Sequence, residues 1–347
     1  MAENDRMKGG FSENGYTIGI GLTDRCNAKC AHCYSRSAGD YQDLDFDQVL
    51  RLVDAIPVKS VNFGTGESIL YPRFIEIIQK LFDRDIPTAI TTNGSTIMEM
   101  CDDDLRRLHD VDFSIDFPDE QENDSWRGEG SYKMALDGAR RCLDLGVETS
   151  LVACLMKQNS RRMGNLAEMA AQLGFNLRVN VYKSVFTREY QPDYNEFWGA
   201  IEDMASTAYF TACSEPIVNA VAGNSKPLKG NPCGQMSFRV HPDGKIVSCV
   251  YLKESDITIE DLIANFDDCR NRLACAINLP LPEICKKCDH VSYCNGGCAS
   301  RRILNQPDQP DEYCFVVRND RPTINARWKK STGLVHEDYL CTMIFSG

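Results

Sequence analysis

A chain of 347 residues with 43% hydrophobic content is long enough for one large core plus an appendage, and too apolar for a disordered or fibrous protein. Its formal net charge of -12 disfavours nucleic-acid partners. No run approaches the roughly 18 apolar residues of a membrane span and no export signal opens the chain, so a cytoplasmic location without membrane contact is expected.

Residues 1–15 read as an N-terminal tail. From Tyr16 to residue 205, short β-branched runs alternate with amphipathic helical patterns, the signature of βα units. The predicted strands are Tyr16–Leu22, Lys59–Phe63, Ile86–Thr92, Val111–Ile115, Val147–Ala153 and Asn176–Tyr182. Between them the apolar spacing is helical, as in Phe46, Val49, Leu50 and Val53, or Leu166, Met169, Ala170 and Leu173. Six units fall short of the eight that close a full barrel. The predicted α/β fold is therefore a partial (β/α)6 TIM-like barrel, with its site at the C-terminal ends of the strands.

Beyond residue 206 the pattern degrades, and Gly, Pro and Asn become frequent. HPDGKIVSCVY predicts a hairpin turning at Asp243 and Gly244. Residues 206–320 are expected to form a cysteine-rich domain organised by metal, and residues 321–347 a C-terminal tail. Seventeen cysteines in a chain without an export signal are more often metal ligands than disulfides.

Cys26, Cys30 and Cys33 follow the first predicted strand in LTDRCNAKCAHCY. Three thiolates on one short loop can wrap a four-iron cluster and leave one iron open for an exogenous ligand, as a catalytic cluster needs. A zinc site is the alternative, but no fourth cysteine or suitably spaced histidine lies nearby. The second strand ends in Gly64-Thr65-Gly66-Glu67, where glycines permit close backbone approach. Thr91-Thr92-Asn93-Gly94 ends the third strand and Ser114 the fourth.

At these residues the chain resembles the radical S-adenosylmethionine superfamily. The resemblance implies that Cys26, Cys30 and Cys33 hold the catalytic [4Fe-4S] cluster, and that its open iron chelates S-adenosylmethionine. His32 would lie near the adenine and Glu67 would meet the methionine amino group. Thr65 stands where the family's commonest pattern has glycine, leaving Gly66 and the acid intact. Thr92 and Asn93 would line the cofactor site, Ser114 would contact the ribose, and Arg127 resembles an arginine aimed at the cofactor carboxylate. A plain surface salt bridge is the other reading of Arg127.

Cys233, Cys249, Cys285, Cys288, Cys294, Cys298 and Cys314 resemble the SPASM extension, an auxiliary-cluster domain. The resemblance implies three [4Fe-4S] clusters in all. Cys285, Cys288, Cys294 and Cys314 would hold one auxiliary cluster, and Cys233, Cys249 and Cys298 the other. Some relatives supply a fourth ligand to the latter from a position that is Pro227 here. That leaves either an open iron or recruitment of a distant thiol such as Cys213. The remaining thiols, Cys101, Cys142, Cys154, Cys213, Cys269, Cys275 and Cys341, read mostly as small core residues, although one could be a hydrogen donor.

The same resemblance implies a flavodoxin- or ferredoxin-type reductant and abstraction of a substrate hydrogen atom. Oxidation (dehydrogenation) or epimerisation of a small natural-product intermediate is the leading expectation. Asp116, Asp119, Glu120, Glu122 and Asp124 crowd a predicted rim, which suggests a cationic, aminosugar-like substrate if they are more than a solvated loop. The alternative is a ribosomal-peptide or protein maturase that forms a crosslink or an oxidised residue. Only 25 residues precede Cys26, against the fused recognition domain of about 80 residues that many peptide-modifying relatives carry. Tetrapyrrole modification of the heme d1 type and a non-catalytic iron–sulfur electron carrier complete the set.

Overall fold

The computed structural model describes residues 15–35, 41–223, 233–252, 254–337 and 342–347. Its strands are β1 (Tyr16–Ile20), β2 (Val58–Phe63), β3 (Thr88–Thr92), β4 (Asp110–Ser114), β5 (Glu148–Leu155), β6 (Asn176–Val181), β7 (Tyr209–Cys213), β8 (Ser237–Val240), β9 (Ile246–Val247) and β10 (Met343–Ser346). They form one sheet in the order β7-β10-β6-β5-β4-β3-β2-β1-β8-β9. β1 to β6 pair in parallel with their sequential neighbours, so the partial barrel expected from the βα rhythm is present.

The connecting helices begin where the sequence offers caps. Asp45 accepts from Gln48 N at the start of Phe46–Ala55, and its apolar stripe of Phe46, Val49, Leu52 and Val53 is buried. Tyr194–Thr207 opens with a capping box of Asp193 and Glu196. The helix after β3 is broken into two short pieces, Ser95–Glu99 and Asp102–Leu105.

The predicted hairpin forms as β8 and β9. Gly244 takes a positive φ of 79°, which its lack of a Cβ permits. β8 then pairs in parallel with β1, so the cysteine-rich region extends the same sheet. The boundary drawn at residue 205 falls inside the helix Tyr194–Thr207.

The segment read as a tail after residue 320 is structural at its end. β10 slots between β6 and β7, antiparallel to both, and Met343, Ile344 and Phe345 are buried. Four residues without flanking turn signals carry no strand pattern of their own. Their partners, more than a hundred residues earlier, supply the fit. Just before it, the turn Val335–Glu337 sends His336 into the barrel interior, against Asp112 of β4. Residues 1–14, Pro227 and Cys341 lie outside the described residues.

Candidate functional site

A chamber of about 650 Å³ opens at the C-terminal ends of the strands. Side chains alternate along a parallel strand, so Asp110, Asp112 and Ser114 of β4 share its inner face. That face is polar, and the barrel holds a cavity instead of stacked aliphatic layers.

Cys26, Cys30 and Cys33 line this chamber on the loop that follows β1. Glycine is obligatory at position 66. It takes a φ of 66°, and a Cβ there would meet the carbonyl oxygens of Thr23 and Arg25 at 2.5 Å each. Glu67 N donates to Arg25 O over 2.8 Å, which pins the end of β2 to the cysteine loop. Burial pushes the Cys26 thiol up to about 11, and raises Cys30 against the pull of Arg127.

The structure brings His32, Thr65, Gly66, Glu67, Thr92, Asn93, Ser114 and Arg127 to the wall of the same chamber. Glu67 is buried and heavily bonded. Thr92 Oγ1, Thr96 Oγ1 and Thr96 N donate to its Oε1, while Asn93 N donates to Oε2 over 3.0 Å. Oε2 keeps an acceptor site for a cationic amino group. The Asn93 side chain in turn donates to Asn27 Oδ1 over 2.7 Å, holding the cysteine loop from the β3 side.

Arg127 is no surface residue. Its Nε lies 2.8 Å from Asp116 Oδ2, and its Nη1 donates to Cys30 Sγ over 3.8 Å. A guanidinium beside a thiolate stabilises its negative charge. Asp116 accepts from Cys154 N at its other oxygen, and against the effect of burial the Arg127 guanidinium holds its carboxyl below the usual range. His32 stacks on Trp126 with 13° between planes.

The five carboxylates read as an acidic mouth do not line the chamber. Asp116 is buried against Arg127, Asp119 caps the helix Glu120–Arg127, and Glu122 pairs with Arg162 at 2.9 Å. Asp124 accepts from Gly130 N and Tyr132 N at the next helix start. Arg127, Arg178, Lys183 and Arg239 are among the lining residues instead, so the acidic run supplies no mouth to this chamber. Sequence reasoning passed over Arg178, Lys183, Arg239 and Trp126. Polar residues at alternate positions of NLRVNV and SFRV were the available signal for the two strand arginines.

The later cysteines gather as two sets. Burial raises the Cys233 and Cys249 thiols, Cys298 adds to both and Cys249 to Cys233, and the Ser300 hydroxyl lies 3.2 Å from Cys298 Sγ. Cys285, Cys288, Cys294 and Cys314 line a second, small cavity, where burial raises the thiols of Cys285, Cys294 and Cys314. Cys213 joins neither: it is buried on β7, donates to Glu215 O over 3.8 Å, and has Glu215 as its charged neighbour. Cys154 lines the chamber, whereas Cys101 and Cys275 are exposed, contrary to the core reading.

Zinc–sulfur bonds of about 2.3 Å hold paired thiolates within about 4.6 Å of each other. Among the described residues, the set of three possible ligand atoms drawn within 4.8 Å is Asp110, Asp112 and His336, not any trio of thiols. None of the three thiol sets is therefore drawn close enough for a single zinc ion, and thiolates are the donors that an iron–sulfur cluster takes. The Asp112 carboxylate already faces Arg178 at 3.2 Å.

The radical SAM superfamily model matches residues 20–170. The mycofactocin maturase MftC of Mycolicibacterium smegmatis is 25% identical over 320 residues, covering 84% of this chain and 81% of that one. The Fe-coproporphyrin III synthase of Methanosarcina barkeri is 26% identical over 250 residues, covering 67% and 58%. Streptococcus suis SuiB, solved with its precursor peptide SuiA, superposes with a TM-score of 0.68 at 17% identity, over 90% of this chain and 78% of that one. At that identity the likeness shows the fold.

Proposed function

Because the chain is a radical S-adenosylmethionine enzyme of the auxiliary-cluster (SPASM) type, we propose that it matures a peptide, installing a crosslink or an oxidised residue. The similarity to a maturase over most of both chains moves the balance from a free small molecule to this reading. The observation that carries it is the shared chamber: Cys26, Cys30 and Cys33 face the same 650 Å³ as Cys233 and Cys249. Pockets of this size enclose a small ligand. With S-adenosylmethionine bound, room remains for one or two residues of a substrate, not for a folded partner.

In this reading Cys26, Cys30 and Cys33 hold the catalytic cluster, and the two later sets hold the auxiliary clusters. A cluster bound there would supply the one-electron reductive cleavage of S-adenosylmethionine that starts hydrogen-atom abstraction from the substrate. The protein's part is placement. Glu67 accepts from the methionine amino group, the His32 ring packs against the adenine, and Ser114 meets the ribose. Arg127 acts through Asp116 and Cys30 and not as a direct carboxylate clamp. Buried walls exclude water from the reacting carbon. Cys233, Cys249 and Cys298 would hold an auxiliary cluster able to accept an electron from the substrate, and a small flavodoxin or ferredoxin would be the external reductant.

Anaerobic reconstitution tests the cluster assignment: about twelve irons per chain and reductant-dependent 5′-deoxyadenosine are expected. Co-expression with a short peptide encoded beside the gene tests the substrate class, with loss of hydrogen mass in the peptide as the expected result. An unmodified peptide together with conversion of a coproporphyrin would replace the maturase reading by tetrapyrrole chemistry.

A further inference from the structure

Gly19 of β1 is the register partner of Asn62 on β2 and of Arg239 on β8. The three positions form one row across the inner wall of the chamber, and all of them line it. A Cβ at Gly19 would lie 2.3 Å from Arg239 Cδ and 2.6 Å from its Nε. The missing side chain is what lets the arginine lie across β1.

The charges around this row are unevenly matched. Arg127 has Asp116 at 2.8 Å, Arg178 has Asp112 at 3.2 Å, and Lys183 has Glu215 at 3.9 Å. The acids of the chamber wall are also engaged: Asp24 accepts from Gln42 N, and Glu67 has the four donors described above. Arg239 has no carboxylate partner among the described residues; its Nη1 donates to the neighbouring Phe238 O over 3.0 Å. Asn62 Oδ1, beside it in the row, is buried without a hydrogen-bond partner. A 180° turn of that amide presents an N–H in its place. Keeping a guanidinium unpaired in a confined cavity is costly unless an anion completes it. A planar fork with an amide donor alongside suits a carboxylate better than a point charge would.

We propose that Arg239, with the Asn62 amide, forms a subsite for a carboxylate group of the substrate. The segment delivered into the chamber then carries either a free C-terminal carboxyl or an acidic side chain. That the carboxylate belongs to a peptide rests on the maturase reading, but the subsite itself requires only an organic carboxylate. It lies within β2, β1 and β8, whereas Glu67 and Asn93 follow the ends of β2 and β3 and Ser114 ends β4.

The test uses cluster-loaded, S-adenosylmethionine-bound enzyme and three probes followed by saturation-transfer NMR. These are N-acetyl-alanyl-alanine, its C-terminal amide, and N-acetyl-alanyl-glutamate α-amide. One or both acids should bind and the neutral amide should not, and whichever acid binds names the source of the carboxylate. Arg239→Gln should weaken acid binding by about tenfold to a hundredfold, with Arg239→Lys retaining part of it. Asn62→Asp, which places a carboxylate beside Arg239, should exclude the acids without removing the arginine. Equal binding of the neutral amide, acid binding that survives Arg239→Gln, or loss of S-adenosylmethionine affinity in that variant would each overturn the proposal. Reductant-dependent cleavage of S-adenosylmethionine in the same samples tells failure of the subsite from failure of the enzyme assignment. Wild-type enzyme that cleaves the cofactor yet ignores both acids defeats the subsite alone.

Discussion

The indole N–H of Trp126 donates to Nδ1 of His32 over 2.8 Å, while the two rings lie 5.7 Å apart between centroids. An indole nitrogen only donates, so Nδ1 carries no proton, and the ring proton sits on Nε2, 3.4 Å from Asp116 Oδ2. The histidine ring of the cysteine loop is thereby fixed from both sides. Trp126→Phe keeps the stacked surface and removes the donor. The dissociation constant for S-adenosylmethionine should rise about threefold to tenfold by equilibrium dialysis. An unchanged constant would take the His32 ring out of the cofactor site.

Gly66→Ala forces a methyl group against the backbone carbonyls of Thr23 and Arg25. The cysteine loop must then detach from the end of β2. Reconstituted iron should drop from about twelve to about eight per chain, with the two auxiliary sets intact. Full iron content in this variant would show that the loop does not need that contact.

Arg301 is buried with Glu215 and Asp311, each at 2.6 Å, and Asp311 also accepts from Cys298 N. Arg301→Met strands two buried carboxylates and should cost roughly 3–5 kcal/mol by urea unfolding. The triple change Arg301→Met, Glu215→Gln, Asp311→Asn should recover most of that. A triple variant no better than the single would mean that the cost lies in packing and not in charge.

His336 and Asp112, 3.0 Å apart, give opposite pH dependences. Burial, with Arg178 and Arg239 adding to it, holds His336 well below 6.5, while burial pushes Asp112 up to about 7. Asp110 and the Arg178 guanidinium also face the pair. Between pH 6.5 and 5 the unfolded chain binds a proton at the histidine that the native state refuses, so this group lowers stability on acidification. The native state keeps a proton on Asp112 that the unfolded chain gives up, which raises stability on acidification. The wild type should therefore be nearly flat in this window. His336→Gln should gain, and Asp112→Asn lose, up to about 1.4 kcal/mol per pH unit of acidification. Parallel urea midpoints for the three proteins would refute the assignment.

Much of this was legible in the sequence, because β1 to β6 are β-branched runs at a regular interval and most of the cysteines of each set lie close together along the chain. β7 and β10 were not, since short strands are specified by distant partners. The misread acidic run shows why composition alone misleads. Asp116, Asp119 and Asp124 are spent on a buried pair and two helix starts, and only packing reveals which carboxylate is already engaged. The unmatched charge of Arg239 is invisible for the same reason: it depends on Gly19, with which it shares no sequence neighbourhood.

The pairing of β8 with β1 also sets a clock. About 220 residues separate the two strands, which at 5–20 residues per second is roughly ten to forty-five seconds of synthesis. Throughout that interval the outer edge of β1 is bare and the thiols of Cys26, Cys30 and Cys33 lack the wall that will enclose them. Under the proposed cluster assignment, delivery of iron to that loop is best timed after the ribosome has passed the later cysteines. A cell making this protein therefore has to shield a nascent strand edge and three reactive thiols from oxidants until translation is nearly complete.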